Sequence, residues 1–258
     1  MASAEDTYAA LADAIGKRPK AVEAYGLRLR SNGWLVRGKR GRGSLPIDNA
    51  QAAKLLLALL SGGPSELDEF MPTYATACVM PAASDEPVVR MMRVILGLSD
   101  NARFLDFITA LVWLFRDGST DQLIYHAPFE DGQVDDWVYD GPNIDIRVHG
   151  PFPVATIKFH LASPLIEKLV AMGCDHEQLL GEQMIVFLHE IYGHHADAMK
   201  QRKSTRKYDK AIEKLREDSE RGIGFERFIG GRQISAVAAA LRDSDDKMVI
   251  AETRSDAP

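Results

Sequence analysis

The chain has 258 residues, a formal net charge of −6, and 46% hydrophobic and 26% charged residues. That is the profile of a folded globular protein, long enough for one large domain or two modest ones. No segment offers the roughly 18 uninterrupted apolar residues of a membrane span. The opening "MASAEDTYAALADAIG" is acidic where a secretory signal is basic, so cytoplasmic residence is expected.

In chain order, "DTYAALADAIG" reads as a short helix. Tyr8, Leu11, Ala12 and Ile15 fall at helical spacing and Gly16 supplies a stop. "KRPKAVEAYGLRLRSNGWL" places Pro19 in a first turn, then continues as a helix burying Val22, Tyr25 or Gly26, and Leu29. "WLVRGKRGRGSLPI" sets two short apolar runs around a glycine-rich cationic tip, the pattern of a hairpin. "DNAQAAKLLLALLSG" is a third helix capped by Asp48 or Asn49, with enough apolar residues for core or for a dimer interface. The break "SGGPSELDEF" follows at 61–70.

Beyond it, "ELDEFMPTYATACVM", "EPVVRMMRVILGL" and "ARFLDFITALVWLF" carry helical spacing. "DQLIYHAPF", "NIDIRVHG" and "FPVATIKFHL" alternate polar and apolar residues and predict a small antiparallel sheet. Helices are expected again at 164–172, 177–200, 206–221 and 231–242, then a short strand "KMVIAE" and a polar tail. Cys78 and Cys174 lie far apart without CxxC spacing; they read as buried free thiols and exclude a zinc knuckle.

Charge is divided unevenly. Residues 1–62 hold ten Lys/Arg against five acids, +5, leaving 21 basic and 32 acidic residues, −11, in 63–258. Such asymmetry points to a small module that meets a polyanion and a larger acidic body that does not.

The order helix, short turn, helix, basic hairpin in "LADAIGKRPKAVEAYGLRLRSNGWLVRGKRGRGSLPI" resembles the winged helix-turn-helix of bacterial and phage regulators. "LADAIG" is similar to the support helix and "VRGKRGRGSL" to the wing. "LRSNGWL" is similar to the L-x-x-x-G-x-L that closes many recognition helices. The resemblance covers residues ~7–47, about a fifth of the chain. It implies a recognition helix at ~18–31 in the major groove of double-stranded DNA and a wing at 36–45 on the backbone or minor groove. Lys17, Arg18, Lys20, Arg28, Arg30, Arg37, Lys39, Arg40 and Arg42 are then the DNA-binding residues. The charge pattern agrees: cations at a recognition-helix N-terminus grip phosphates beside the base edges, and wing glycines admit close backbone approach. The usual module has another helix before the support helix. Here the helix 49–61, the body or a second subunit would complete it.

A rival signal lies in "MIVFLHEIYGHHADAM". His189, Glu190 and His194 resemble the H-E-x-x-G-H of the dipeptidyl peptidase III family, which implies His189 and His194 as zinc ligands and Glu190 as catalytic base. A third ligand would come from Glu213, Glu217 or Glu220. On a regular helix His194 stands about 140° from His189. The plain alternative is a helix with Ile185, Leu188 and Tyr192 in the core and its histidines at the edge, where Gly193 permits close packing. "KQRKSTRKYDK" at 200–210 is a second basic run, most simply a solvated connection. Phosphate-loop, nucleophile-elbow and dinucleotide-binding motifs are absent from the sequence.

The expectation is therefore an α+β protein. A winged helix-turn-helix DNA-binding domain spans 1–62, an α+β body for oligomerisation or sensing spans 63–252, and a tail spans 253–258. The body is mainly helical with a small antiparallel sheet. Its function is expected to be sequence-specific DNA binding by a homodimeric transcriptional regulator that needs no cofactor. The alternatives are a zinc-dependent hydrolase, with zinc at 189–194, and a phage-type DNA-packaging or replication adaptor.

Overall fold

Local signals build the first three helices as the sequence predicts. Helix α1 (Ala4–Ala14) starts at Ser3, whose Oγ accepts the Asp6 N–H at 3.0 Å. It stops ahead of Gly16, whose φ of +64° lies in the left-handed region. Helix α2 (Pro19–Ser31) begins on proline, which lacks the N–H that a first turn leaves unused anyway, and buries Val22, Tyr25, Gly26 and Leu29. A two-residue strand ahead of α1, β1 (Ala2–Ser3), pairs antiparallel with β2 (Pro46–Ile47). Asp48 then caps α3 (Asn49–Leu59), accepting the Gln51 N–H at 2.7 Å. Ala52, Ala53, Leu55, Leu56, Leu57 and Ala58 are all buried, so the apolar surface of α3 is core. It packs against α2 on one side and the body on the other.

A computed structural model describes residues 2–36, 46–84, 86–125, 142–220 and 224–242. The elements of the body are α4 (Leu67–Ala75), β3 (Cys78–Val79), α5 (Pro87–Ile95), α6 (Phe104–Asp117), β4 (Ile144–Gly150), β5 (Val154–Phe159), α7 (Ser163–Ala171), α8 (His176–Leu180), β6 (Gln183–Leu188), α9 (Glu190–Lys200), α10 (Arg206–Glu220) and β7 (Phe225–Gly230). A final helix, α11, covers 231–242. The protein is thus mixed helix and sheet. Its main sheet has five strands in the order β3–β6–β5–β4–β7, every neighbour antiparallel. Side-chain alternation puts Ile146, Ile157, Ile185 and Ile229 in one cross-strand row on the core face. No helix among the described residues is long and apolar enough to cross a membrane.

Helix α6 lies between the two parts. Its Phe104 and Phe107 rings stand 4.9 and 5.0 Å from the ring of Phe187 on β6, while other residues of α6 meet α3. Phe104, Phe107, Ile108, Leu111, Val112 and Leu114 are all buried, too wide a set for a surface helix with one apolar stripe. The hydrophobic cluster consequently runs without a break from Ala4 to Leu241. Polar ties reinforce it: Arg227 on β7 donates to Leu60 O at 3.2 Å and reaches Glu66 at 3.3 Å, and Gln233 donates to Ala14 O at 3.1 Å.

Several expectations need correction. The span 177–200 is not one helix: α8 ends at Leu180, "QMIVFL" is a strand inside the sheet, and α9 starts at Glu190. A five-residue apolar run has no period that separates strand from helix; pairing with both β3 and β5 decides it here. Ile185 and Leu188 therefore belong to a strand and not to a helix stripe. Gly193 approaches strand residue Cys78 instead of a helix, with a Cβ there falling 2.8 Å from Sγ. The start of "DQLIYHAPF" forms a 3-10 turn at Ser119–Gln122, and among its described residues only Ile124 bridges to Leu161. Strand β7 is an element that the sequence pattern does not announce. Both cysteines are free but half-buried. "KMVIAE" and the tail lie outside the described residues.

Gly26 packs so closely on Tyr8 that a Cβ would overlap the phenol hydroxyl and ring. Tyr8 is buried and has little room to yield. Gly26→Ala is expected to lower unfolding free energy in urea melts by about 1–3 kcal/mol through overpacking. Ala24→Gly, two residues away on a half-exposed position, should cost only about 0.5–1 kcal/mol of helix propensity.

Candidate nucleic-acid interface

The α1–turn–α2 unit presents its cations in two different ways. Lys17, Arg18 and Lys20 surround the start of α2 and are exposed. They sit where the turn at Gly16 ends and Pro19 begins the helix, so all three side chains leave the protein around the α2 N-terminus. Along the outer side of α2, Glu23 is exposed, Ala24 is half-buried and Leu27 is 55% exposed. This exposed face is continuous with the cationic end.

Arg28 and Arg30, near the other end of α2, are half-buried and make contacts within the protein. Arg28 pairs with both carboxylate oxygens of Asp68 on α4, its Nε donating at 3.1 Å, and Asn32 donates to the same carboxylate. The Arg28 and Asp68 side chains remain 41% and 50% exposed, so the pair adds little net stability; it fixes orientation. Arg30 donates to the Tyr8 hydroxyl and lies 5.7 Å from that ring's centroid. Burial, partly offset by Arg30, pushes the Tyr8 phenol above its ordinary range. Helical position alone assigns Arg28 and Arg30 to the DNA-binding set, and nothing in the local pattern reveals their partners.

The wing residues Arg37, Lys39, Arg40 and Arg42 lie outside the described residues. The chain leaves the described part at Val36, after the buried Leu35, and re-enters at β2. Pairing of β2 with β1 returns it to the foot of α1. The second basic run, 200–210, joins α9 to α10, with Arg202, Lys203, Arg206 and Lys207 exposed.

The histidine motif has a different geometry from the zinc-peptidase pattern. His189 is not on a helix with His194; it is the residue before α9, and its Nδ1 accepts the Ile191 N–H at 3.3 Å. His194 stacks on Tyr208 with centroids 6.1 Å apart, and His195 Nε2 lies 2.9 Å from Asp209 Oδ1. Among the described residues, no group of three or more His, Cys, Asp or Glu side chains could hold a metal ion. A separate cationic cavity, lined partly by Arg93 and Arg103, carries no signal in the sequence because its lining is spread from Cys78 to Lys200.

Comparison with protein-family models, curated proteins and solved structures found no match.

Burial lowers the His189 pKa below its ordinary value of 6.5, with Glu190 opposing. A neutral ring is also what leaves Nδ1 free to accept the helix-capping N–H. The stability this contributes is fully present above about pH 6.5 and is lost as the pH falls through the lowered folded-state value. The thermal midpoint of the wild type is expected to drop more steeply below that pH than that of His189→Asn, which keeps a capping acceptor without the titration. Parallel pH profiles would exclude a buried neutral His189.

Proposed function

We propose that this protein is a sequence-specific double-stranded-DNA-binding protein, acting as a transcriptional regulator through an N-terminal winged helix-turn-helix. The observation that carries the reading is the β1–β2 pair beside α1 together with the exposed cations at the start of α2. Strand β2, which follows the basic segment 37–45 in the sequence, pairs with β1 at the start of α1. A recognition helix needs an exposed outer face and a cationic N-terminus, and α2 has both. The helix α3 packs on α2, which supports a helix after the wing in the role of the module's usual leading helix.

In this reading Lys17, Arg18 and Lys20 grip phosphates at the edge of the major groove, and the outer residues of α2 meet base edges. Arg37, Lys39, Arg40 and Arg42 on the wing hold the adjacent backbone or minor groove. Arg28 and Arg30 hold α2 on Asp68 and Tyr8, so the recognition helix is presented by a rigid body. One module buries too little surface for strong specific binding, and a homodimer on a two-fold site supplies the rest. The −11 body repels DNA and keeps attraction local to the module.

Selection of bound fragments from genomic DNA should enrich one defined site. On that site, Lys17→Ala/Arg18→Ala/Lys20→Ala and Arg37→Ala/Arg40→Ala should each weaken binding and lower the salt slope by about one unit per lost phosphate contact. Glu23→Ala should instead change the preferred sequence. No enriched site, with wild type and both cation variants binding alike, would sink the proposal.

A further inference from the structure

Away from the N-terminal helices, a cavity of about 630 Å³ opens between β3, α5, the turn before α6 and the exposed side of α9. Its charged lining consists of Arg90 and Arg93 from α5, Arg103 at the start of α6, Lys200 from α9, and the carboxylates Asp100 and Asp197. Among the described residues, four permanent cations face two acids, in the part of the chain that is otherwise strongly acidic. The cavity wall is mostly polar, which suits neither a lipid nor an aromatic ligand. Cys78 also lines it, and burial, only partly offset by the Gly193 N–H and Arg103, pushes its thiol up. The thiol therefore stays neutral and adds no competing negative charge.

Arg93 sets this cavity apart from a solvated basic patch. Its side chain is only 8% exposed, and among the described residues its one carboxylate neighbour, Asp100, lies 4.0 Å away on a fully exposed side chain. Nη1 donates to Ser84 O at 3.2 Å, but Nε is buried with no hydrogen-bond partner. A guanidinium taken out of water without a close carboxylate is costly, and an unsatisfied buried N–H adds to that cost. The planar donor fork of arginine matches oxyanions with two or more acceptor oxygens, and such a ligand in the cavity would supply the counter-charge that Arg93 lacks.

We infer that this cavity binds a small multivalent oxyanion, a phosphate- or polycarboxylate-bearing metabolite, held chiefly by Arg93 and Arg103 with Lys200 closing the charge balance from α9. The site belongs to the body and does not rest on DNA binding. Arg103 nevertheless stands at the start of α6, the helix that packs on α3, so an occupant would touch the element that supports the N-terminal helices.

The test uses the full chain without DNA. Calorimetric titration and thermal melting are run with inorganic phosphate, pyrophosphate and citrate, each against sodium chloride of equal ionic strength. Saturable binding of one anion per chain and a raised midpoint are expected for at least one of the three. Phosphates alone, or citrate alone, would then identify which oxyanion class the site prefers. Arg103→Gln should weaken binding about tenfold or more, as loss of a charge-assisted bond implies. Lys203→Gln, on the exposed run beyond α9, should leave it unchanged. Arg93→Met should abolish binding while leaving the ligand-free protein at least as stable as the wild type, since it removes an unmet buried charge. If Arg93→Met fails to fold, Arg103→Gln decides the matter. No anion-specific heat or midpoint shift, or equal loss in Lys203→Gln and Arg103→Gln, would overturn the site.

Discussion

The contact on which the architecture depends is the packing of helix α6 between the sheet and the N-terminal helices. Phe104 and Phe107 press on Phe187 from one side, and α3 lies along another. Aromatic pairs of this kind add about 0.5–1.5 kcal/mol beyond their burial, but the arrangement matters more than the sum. Phe187 sits on β6, which is paired on both sides, so α6 is seated on the sheet interior. Through α3 the same helix positions α2. A helix buried over so much of its circumference cannot rotate or slide without opening the core, because protein interiors are packed at crystal-like density.

That rigidity explains how the cations of α2 divide their work. The C-terminal end of α2 uses Arg28 in a contact with Asp68 of the body and Arg30 in one with Tyr8 on α1, and the N-terminal end keeps Lys17, Arg18 and Lys20 exposed. Exposed ion pairs contribute little to folding free energy, yet a bidentate pair at the helix end limits its tilt. In a DNA-binding reading, the first group of cations orients the helix and the second meets the polyanion. The buried guanidinium of Arg93 obeys a third logic, since neither solvent nor a close carboxylate satisfies it.

The N-terminal helices are legible in the sequence because their signals are local. Gly16 and Pro19 bracket the turn, Asp48 caps α3, and Val22, Tyr25, Gly26 and Leu29 mark one helix face. Each is read within a turn or two of the chain. Strands β4 and β5 are equally readable from alternation, their turn residues supplying the punctuation. Strand β6 reads wrongly as helix because "MIVFL" is apolar on both faces. Strand β7 escapes notice because "FERFIG" gains its identity only by pairing with β4, some 80 residues earlier. The histidine pair inherits the first error: the expected common helix is a strand up to Leu188, and His189 caps the separate helix α9.

The sequence alone determined the charge asymmetry, the first three helices with their caps, the mixed helix-and-sheet class and the candidate cations of the N-terminal module. These depend on spacing and on side chains acting within a few residues of themselves. Tertiary structure decided that α3 is core, that Arg28 and Arg30 are held by Asp68 and Tyr8, that β6 lies inside the sheet, and that Arg93 and Arg103 meet across one cavity. Most of those outcomes join positions tens to more than a hundred residues apart, and such meetings are selected by burial and pairing across the whole fold, which no local window of sequence contains.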